Sequence, residues 1–246
     1  MSQQPSAPGL PKRFYTSVTS KESGSGWKIC LDGKALKSRK GGVLVVPTVV
    51  LADAIVAEWD AQDAHIDLSQ MPMTRLHMSA HDLSEGDAAS IREEIAKYAA
   101  SDLLCYRAEA PVELVRRQAK IWDPIIQSVE QTLGLKFVSA AGIVFQDQPN
   151  ESIECVNQIA EPLGAGELIF FRVSLGVTGS AILSLAIWTG LIDPEAAFSA
   201  SRIDEEFQIE KWGRDAEAEQ ATARRKQEFT DATTYLTLAR ASHQES

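Results

Sequence analysis

Cysteine is scarce in this sequence. The three that occur, Cys30, Cys105 and Cys155, are an odd number, lie far apart and form no CxxC pair. That excludes a disulfide framework and a thiolate zinc site, and reads as packing thiols in a reducing compartment. Positive charge is also short: 34 acidic residues against 24 basic ones give a formal net charge of −10. Such a chain is not built for non-specific binding to nucleic acid or to an anionic membrane. No GxxxxGK[ST] loop occurs, Gly164-Ala165-Gly166 lacks the third glycine of a dinucleotide turn, and there is no GxSxG elbow. Nucleotide binding and that class of serine hydrolase therefore have no candidate residues, and no cofactor is called for. The first fifteen residues hold neither an apolar signal core nor an Arg-rich amphipathic helix, so a cytoplasmic location is expected.

What is present is a 246-residue chain of globular composition, 44% apolar and 24% charged, long enough for a substantial core without covalent staples. Residues 173–192 are uncharged over a bilayer's length. Gly176, Gly179, Ser180, Ser184 and Gly190 dilute that run, which predicts one buried core helix rather than a membrane span. Residues 1–10 read as a loose leader. Arg13–Val18 and Trp27–Leu31 read as strands around a Ser23–Gly26 turn, Asp32-Gly33 as a type I′ hairpin turn, and Gly41-Gly42 as a turn before Val43–Val46. Pro47-Thr48 opens a helix with Leu51, Ile55 and Trp59 on one face. Beyond it helical periodicity prevails, with fresh starts predicted at Asp123-Pro124 and Asp193-Pro194 and a stop at Gly134. The last helical stretch, with Phe229, Ala232, Leu236 and Ala239 in phase, is otherwise strongly charged. The expected fold class is α+β, with a small N-terminal α+β domain at 1–85, of three to four strands and a helix, followed by an all-α domain at 86–246.

Candidate sites are few. Cys105 in an apolar setting reads as packing. His77 and His81 stand at i and i+4, followed by Asp82, with His65 nearby; the spacing suits zinc, but the general-base Glu of HExxH is missing. Trp27, Trp59, Trp122 and Trp188 are expected in the core. Trp212 differs, because in the helical segment 202–213 Ile203 and Phe207 share one face while Glu205, Ile209 and Trp212 lie nearly opposite. Asp204, Gln208 and Lys211 project between those stripes. Such a helix is either packed on two sides with its charges paired internally, Asp204 to Lys211 or Arg202, or it offers Asp204, Glu205, Gln208 and Trp212 to a partner protein.

The runs RFYTSV, GWKICLDGKALKS, LADAIVAEWDAQ, MPMTRL, YAASDLLCYRA, QAKIWDPI and SRIDEEFQIEKWG, in that order, resemble the ATP-synthase F(1) assembly chaperones that bind the unassembled alpha subunit. The resemblance extends from about Arg13 to Gly213. It implies a non-enzymatic, ATP-independent protein with no cofactor or metal, whose partner is the F(1)-ATPase alpha subunit. No nucleic-acid partner, no membrane insertion and a monomeric state are expected. Mitochondrial members carry an import presequence that is not seen here, so the resemblance is to a bacterial, cytoplasmic member. The other classes left open are a scaffold or adaptor with a different client, and an enzyme using the His77/His81 pair.

Overall fold

The computed structural model describes residues 9–142, 145–213 and 215–241. The loose leader expected at residues 1–10 falls mostly outside them. The chain divides into two compact units, one of residues up to Leu83 together with those from Thr234 onward, the other Ser84–Thr233.

The first unit is a four-stranded antiparallel sheet with helices against it. Strands β1 (Val18–Ser23) and β2 (Gly26–Leu31) form a hairpin in full register from Val18 opposite Leu31 to Ser23 opposite Gly26. β3 (Lys34–Ala35) and β4 (Val45–Val46) both pair with β2. The first strand thus begins at Val18 and not at Arg13. The reason is local: the Asp32 carboxylate accepts the Thr16 and Ser17 N–H groups and holds that segment out of the ladder. Those bonds take the Asp32 carboxyl down to about 2. Asp32 and Gly33 both have positive φ, as the type I′ turn requires. Gly26 admits no side chain, since a Cβ there would lie 2.3 Å from the Val46 carbonyl oxygen.

Thr48 caps α1 (Val49–Asp60) through the Leu51 N–H, and its hydroxyl donates to the Leu238 carbonyl. Leu51, Ala52, Ile55 and Trp59 form the buried face of α1. At its far end the Glu58 carboxylate accepts the N–H groups of Met73 and Thr74, capping α2 (Pro72–His81) from outside that helix. The C-terminal end of the chain joins this unit because Tyr235 and Leu236 are buried and Tyr235 meets His77.

The second unit is helical: α3 (Glu85–Ala100), α4 (Val112–Leu133), α5 (Asn150–Ala160), α6 (Ala165–Thr178), α7 (Ala181–Trp188), α8 (Pro194–Ser201), α9 (Ile203–Trp212) and the start of α10 (Ala216–Arg240), which continues into the first unit. Its described strands are a two-residue parallel pair, β5 (Tyr106–Arg107) and β6 (Ala140–Ala141). Two expectations fail here. The apolar run is two helices, because Gly179 takes the left-handed conformation (φ 68°) and Ser180 caps a new helix through the Leu183 N–H. The buried Asp102 carboxylate enforces the break by accepting the Ser180 hydroxyl (2.8 Å) and the Ile182 N–H (2.9 Å). The fresh start at Asp123-Pro124 is also absent: α4 runs through Pro124 and ends at Gly134. Leu114, Gln118, Trp122, Ile126 and Val129 make one continuous buried stripe along it, and that packing outweighs the backbone hydrogen bond a helical proline forfeits. Asp123, expected as a cap, instead pairs with Arg107 at 2.7 Å.

Candidate partner-binding surface

Most residues that carry the family resemblance are engaged inside the fold. Arg13 donates to the carbonyls of Tyr15, Asp60 and Gln62, and its guanidinium lies 4.6 Å from the Tyr15 ring centroid. The Tyr15 hydroxyl donates to the Trp59 carbonyl at 2.6 Å while the two rings pack edge to face. Gln62 accepts the Asp67 N–H and donates to the Glu58 carbonyl. The RFY and EWDAQ runs therefore lock one corner of the first unit. In the second, Trp122 is fully buried with its indole N–H on the Ala200 carbonyl (2.8 Å), and Arg107 stacks over its ring. Cys105 is buried, and burial pushes its thiol up to about 12, far from a nucleophile's range.

The histidine pair is spent on the backbone. The Nε2–H of His77 donates to the Val45 carbonyl and that of His81 to the Val43 carbonyl, both at 2.9 Å. With Nε2 as donor, neutral His77 accepts the Tyr235 hydroxyl at Nδ1, and burial lowers its pKa. His65 lies in a backbone bridge with Lys12. Of the tryptophans expected in the core, Trp59 and Trp122 are buried, whereas Trp27 and Trp188 are only half-buried; Trp188 donates to Glu167.

The α9 segment is where side chains are left over. Ile203 and Phe207 are buried. Asp204, Glu205 and Glu206 occupy the first turn, where the helix dipole favours acids. Asp204 does not pair with Lys211 or Arg202: its Oδ1 accepts the amide of Gln118, 1% exposed, at 2.7 Å, while Gln118 Oε1 accepts the Ala108 N–H. Arg117 grips Glu210 with two hydrogen bonds of 2.7 and 2.8 Å, which raise the arginine's pKa and lower the glutamate's. Lys211 pairs with Glu113, and Arg202 lies 3.6 Å from Glu206. These contacts latch α9 onto α4. Glu205 and Gln208 stay exposed, and Trp212 is 80% exposed, the most exposed large apolar side chain described. Sequence phasing separated the two stripes, but only the structure distinguishes Asp204, held by Gln118, from the open Glu205.

Beside the start of α9 lies a cleft of about 420 Å³, walled by the last turn of α6, by Phe198 and Arg202, and by Asp204 and Glu205, with Arg225 of α10 on its rim. The acids singled out in the sequence thus border a real concavity. Among the described residues no cluster of three or more His, Cys, Asp or Glu has metal-holding geometry. No described helix is long and apolar enough to cross a membrane.

Residues 12–130 match the family model described as ATP12 chaperone protein. The crystal structure of Atp12 from Paracoccus denitrificans is 35% identical, covers 94% of this chain and 99% of that one, and superimposes with a TM-score of 0.89. The chain belongs to the ATP12 chaperone family. The family is one of chaperones, not enzymes. The structure of the Atu1473 protein from Agrobacterium tumefaciens is also similar, 36% identical over 93% of this chain and 86% of that one, with a TM-score of 0.87. So is the mitochondrial protein atp12 of Schizosaccharomyces pombe, 27% identical over 214 residues, 82% of this chain and 74% of that protein.

Proposed function

We propose that this ATP12-family protein binds the free F(1)-ATPase alpha subunit, shields its exposed interfaces from aggregation and hands it over for assembly of the alpha/beta hexamer. It works as a monomer, without nucleotide, in the bacterial cytoplasm. Family membership at this coverage is the observation that carries the reading. An unassembled subunit exposes apolar surface that later buries against its neighbours, and such surface aggregates. A protein without a nucleotide site caps it by mass action and leaves when a better partner arrives. The bacterial relatives at 35 and 36% identity, against 27% for the mitochondrial one, support the location.

The contact surface is the outer side of α9, supported by the side chains that stay exposed there: Glu205 and Gln208 for charged and amide contacts, Trp212 for apolar area. Asp204 contributes through its second oxygen, the first being held by Gln118. The test is charge reversal, Glu205→Lys, with circular dichroism and capture of purified alpha subunit measured side by side. Glu205 is exposed and 3.9 Å from its ion-pair partner Arg202, so melting stays native while capture falls by about tenfold or more. Unchanged capture removes Glu205 from the surface, and lost melting cooperativity makes its role structural.

A further inference from the structure

The sheet of the first unit has two edges, and the fold treats them differently. Along one, the outward carbonyls of Val43 and Val45 accept the Nε2–H groups of His81 and His77 from α2. The other edge is β1. The Asp32 N–H donates to the Ser17 carbonyl, which fixes the phase of the hairpin ladder: Thr19, Lys21 and Ser23 turn their backbone groups toward β2, whereas Val18, Ser20 and Glu22 turn theirs away. Among the described residues none of those outward N–H and C=O groups has a hydrogen-bond partner. The strand holds no proline and its register is unbroken, so the edge is open to pairing. It also carries charge on one face. Ile29, Leu31, Leu44 and Val46 are buried on the face that α1 covers. Alternation puts Lys21, Lys28 and Lys37 on the opposite face, with no acid beside them in the strands. Lys21 stands directly opposite Lys28, a like-charge pair that destabilises a sheet. The lysines with described ion pairs are Lys97, Lys211 and Lys226, none of them on this sheet. Lysine on an edge strand commonly guards against unwanted pairing, but Lys21 alone would do that, and Lys28 lies one strand inward.

We propose that β1 receives an extended acidic segment of another protein as a fifth strand of the sheet. Running antiparallel to β1, it hydrogen-bonds to Val18, Ser20 and Glu22 and sets an Asp or Glu beside Lys21. That carboxylate lies on the lysine face, within reach of the flexible stem of Lys28, and offsets the repulsion of the pair. The alternate side chains of the added strand, beside Ser20 and Glu22, are uncharged. A second copy of this chain is disfavoured, since antiparallel pairing of β1 with its own copy joins two basic faces into one. The proposal adds a surface to that of α9 and stands independently of the alpha-subunit reading.

NMR titration of the isotopically labelled full-length protein with the peptide acetyl-Thr-Glu-Val-Glu-Val-Thr-amide tests this. The expected result is amide shifts and slowed hydrogen exchange at Val18, Ser20 and Glu22, with the inward amides of Thr19 and Lys21 affected less, and binding that weakens with added salt. Lys21 is exposed, so Lys21→Glu is expected to keep or raise the melting temperature, by ending the pair with Lys28, while it weakens binding about tenfold. The same variant is expected to bind the peptide with Lys in place of both Glu residues. Ser20→Pro deletes an outward donor that the β1–β2 ladder does not use, and is expected to abolish the protection. Silence at the β1 amides, an equal response of inward and outward amides, or wild-type affinity in Lys21→Glu overturns the proposal. The same pattern of shifts on adding oligothymidylate also overturns it, because the face would then be a nucleic-acid site.

Discussion

Asp102 shows how a single buried carboxylate can organise a helical unit. It is wholly buried, accepts hydrogen bonds from Leu104 N–H, Ser180 hydroxyl and Ile182 N–H, and so caps both a 3₁₀ turn and α7. Burial raises its pKa from 3.8 to about 6, against the lowering effect of those bonds. The folded state therefore holds a proton that the unfolded chain releases near pH 4. The resulting stabilisation is complete below pH 4 and is lost as pH rises through about 6. Asp102→Asn removes this pH dependence and sets an amide donor against an N–H, which costs about 1 to 3 kcal/mol. Urea titrations of both proteins between pH 4.5 and 7.5 check it, and an Asn variant as stable as wild type at pH 7 contradicts it. Trp59 is the other residue with a clear expectation. Buried between Tyr15 and the α1 core, it makes Trp59→Ala cost about 3 to 5 kcal/mol. Lower soluble yield and melting temperature are expected first, and a fully stable variant that fails in capture would place Trp59 on the docking surface.

At the scale of elements, α4 sets local signal against packing. Pro124 is exposed and lies inside the helix, so the Lys120 carbonyl has no i+4 N–H to accept. Replacing it with Ala disturbs no buried contact and restores that bond, so Pro124→Ala is expected to raise stability by roughly 1 to 3 kcal/mol. A lowered melting temperature would mean that the proline's rigidity matters more than the lost bond. Elements governed by adjacent residues were legible in the sequence: the Asp32-Gly33 turn, the Thr48 cap, the Gly134 stop, and the Asp193-Pro194 start, where Asp193 caps the Ala196 N–H. Elements decided by distant partners were not. The Gly179-Ser180 break depends on Asp102, 78 residues away, and the state of Asp204 depends on Gln118, 86 residues away. The same limit applies to the candidate surface. Helical phasing located its stripe, but not which acid was already taken, nor the cleft beside it.

For the whole molecule, the division of labour among the motifs matters most. RFY, EWDAQ, DLLCYR and QAKIWDPI supply caps, stacked rings and buried hydrogen bonds, whereas the segment ending in Trp212 leaves Glu205, Gln208 and the indole to solvent. A protein built this way acts by presenting a surface, and stoichiometric capping is its natural mode. Light scattering of purified alpha subunit, diluted into nucleotide-free buffer with increasing amounts of this protein, tests that directly. Suppression that saturates near one chain per alpha subunit is the predicted result. Scattering that is indifferent to the protein, or suppressed only when ATP is added, would contradict it.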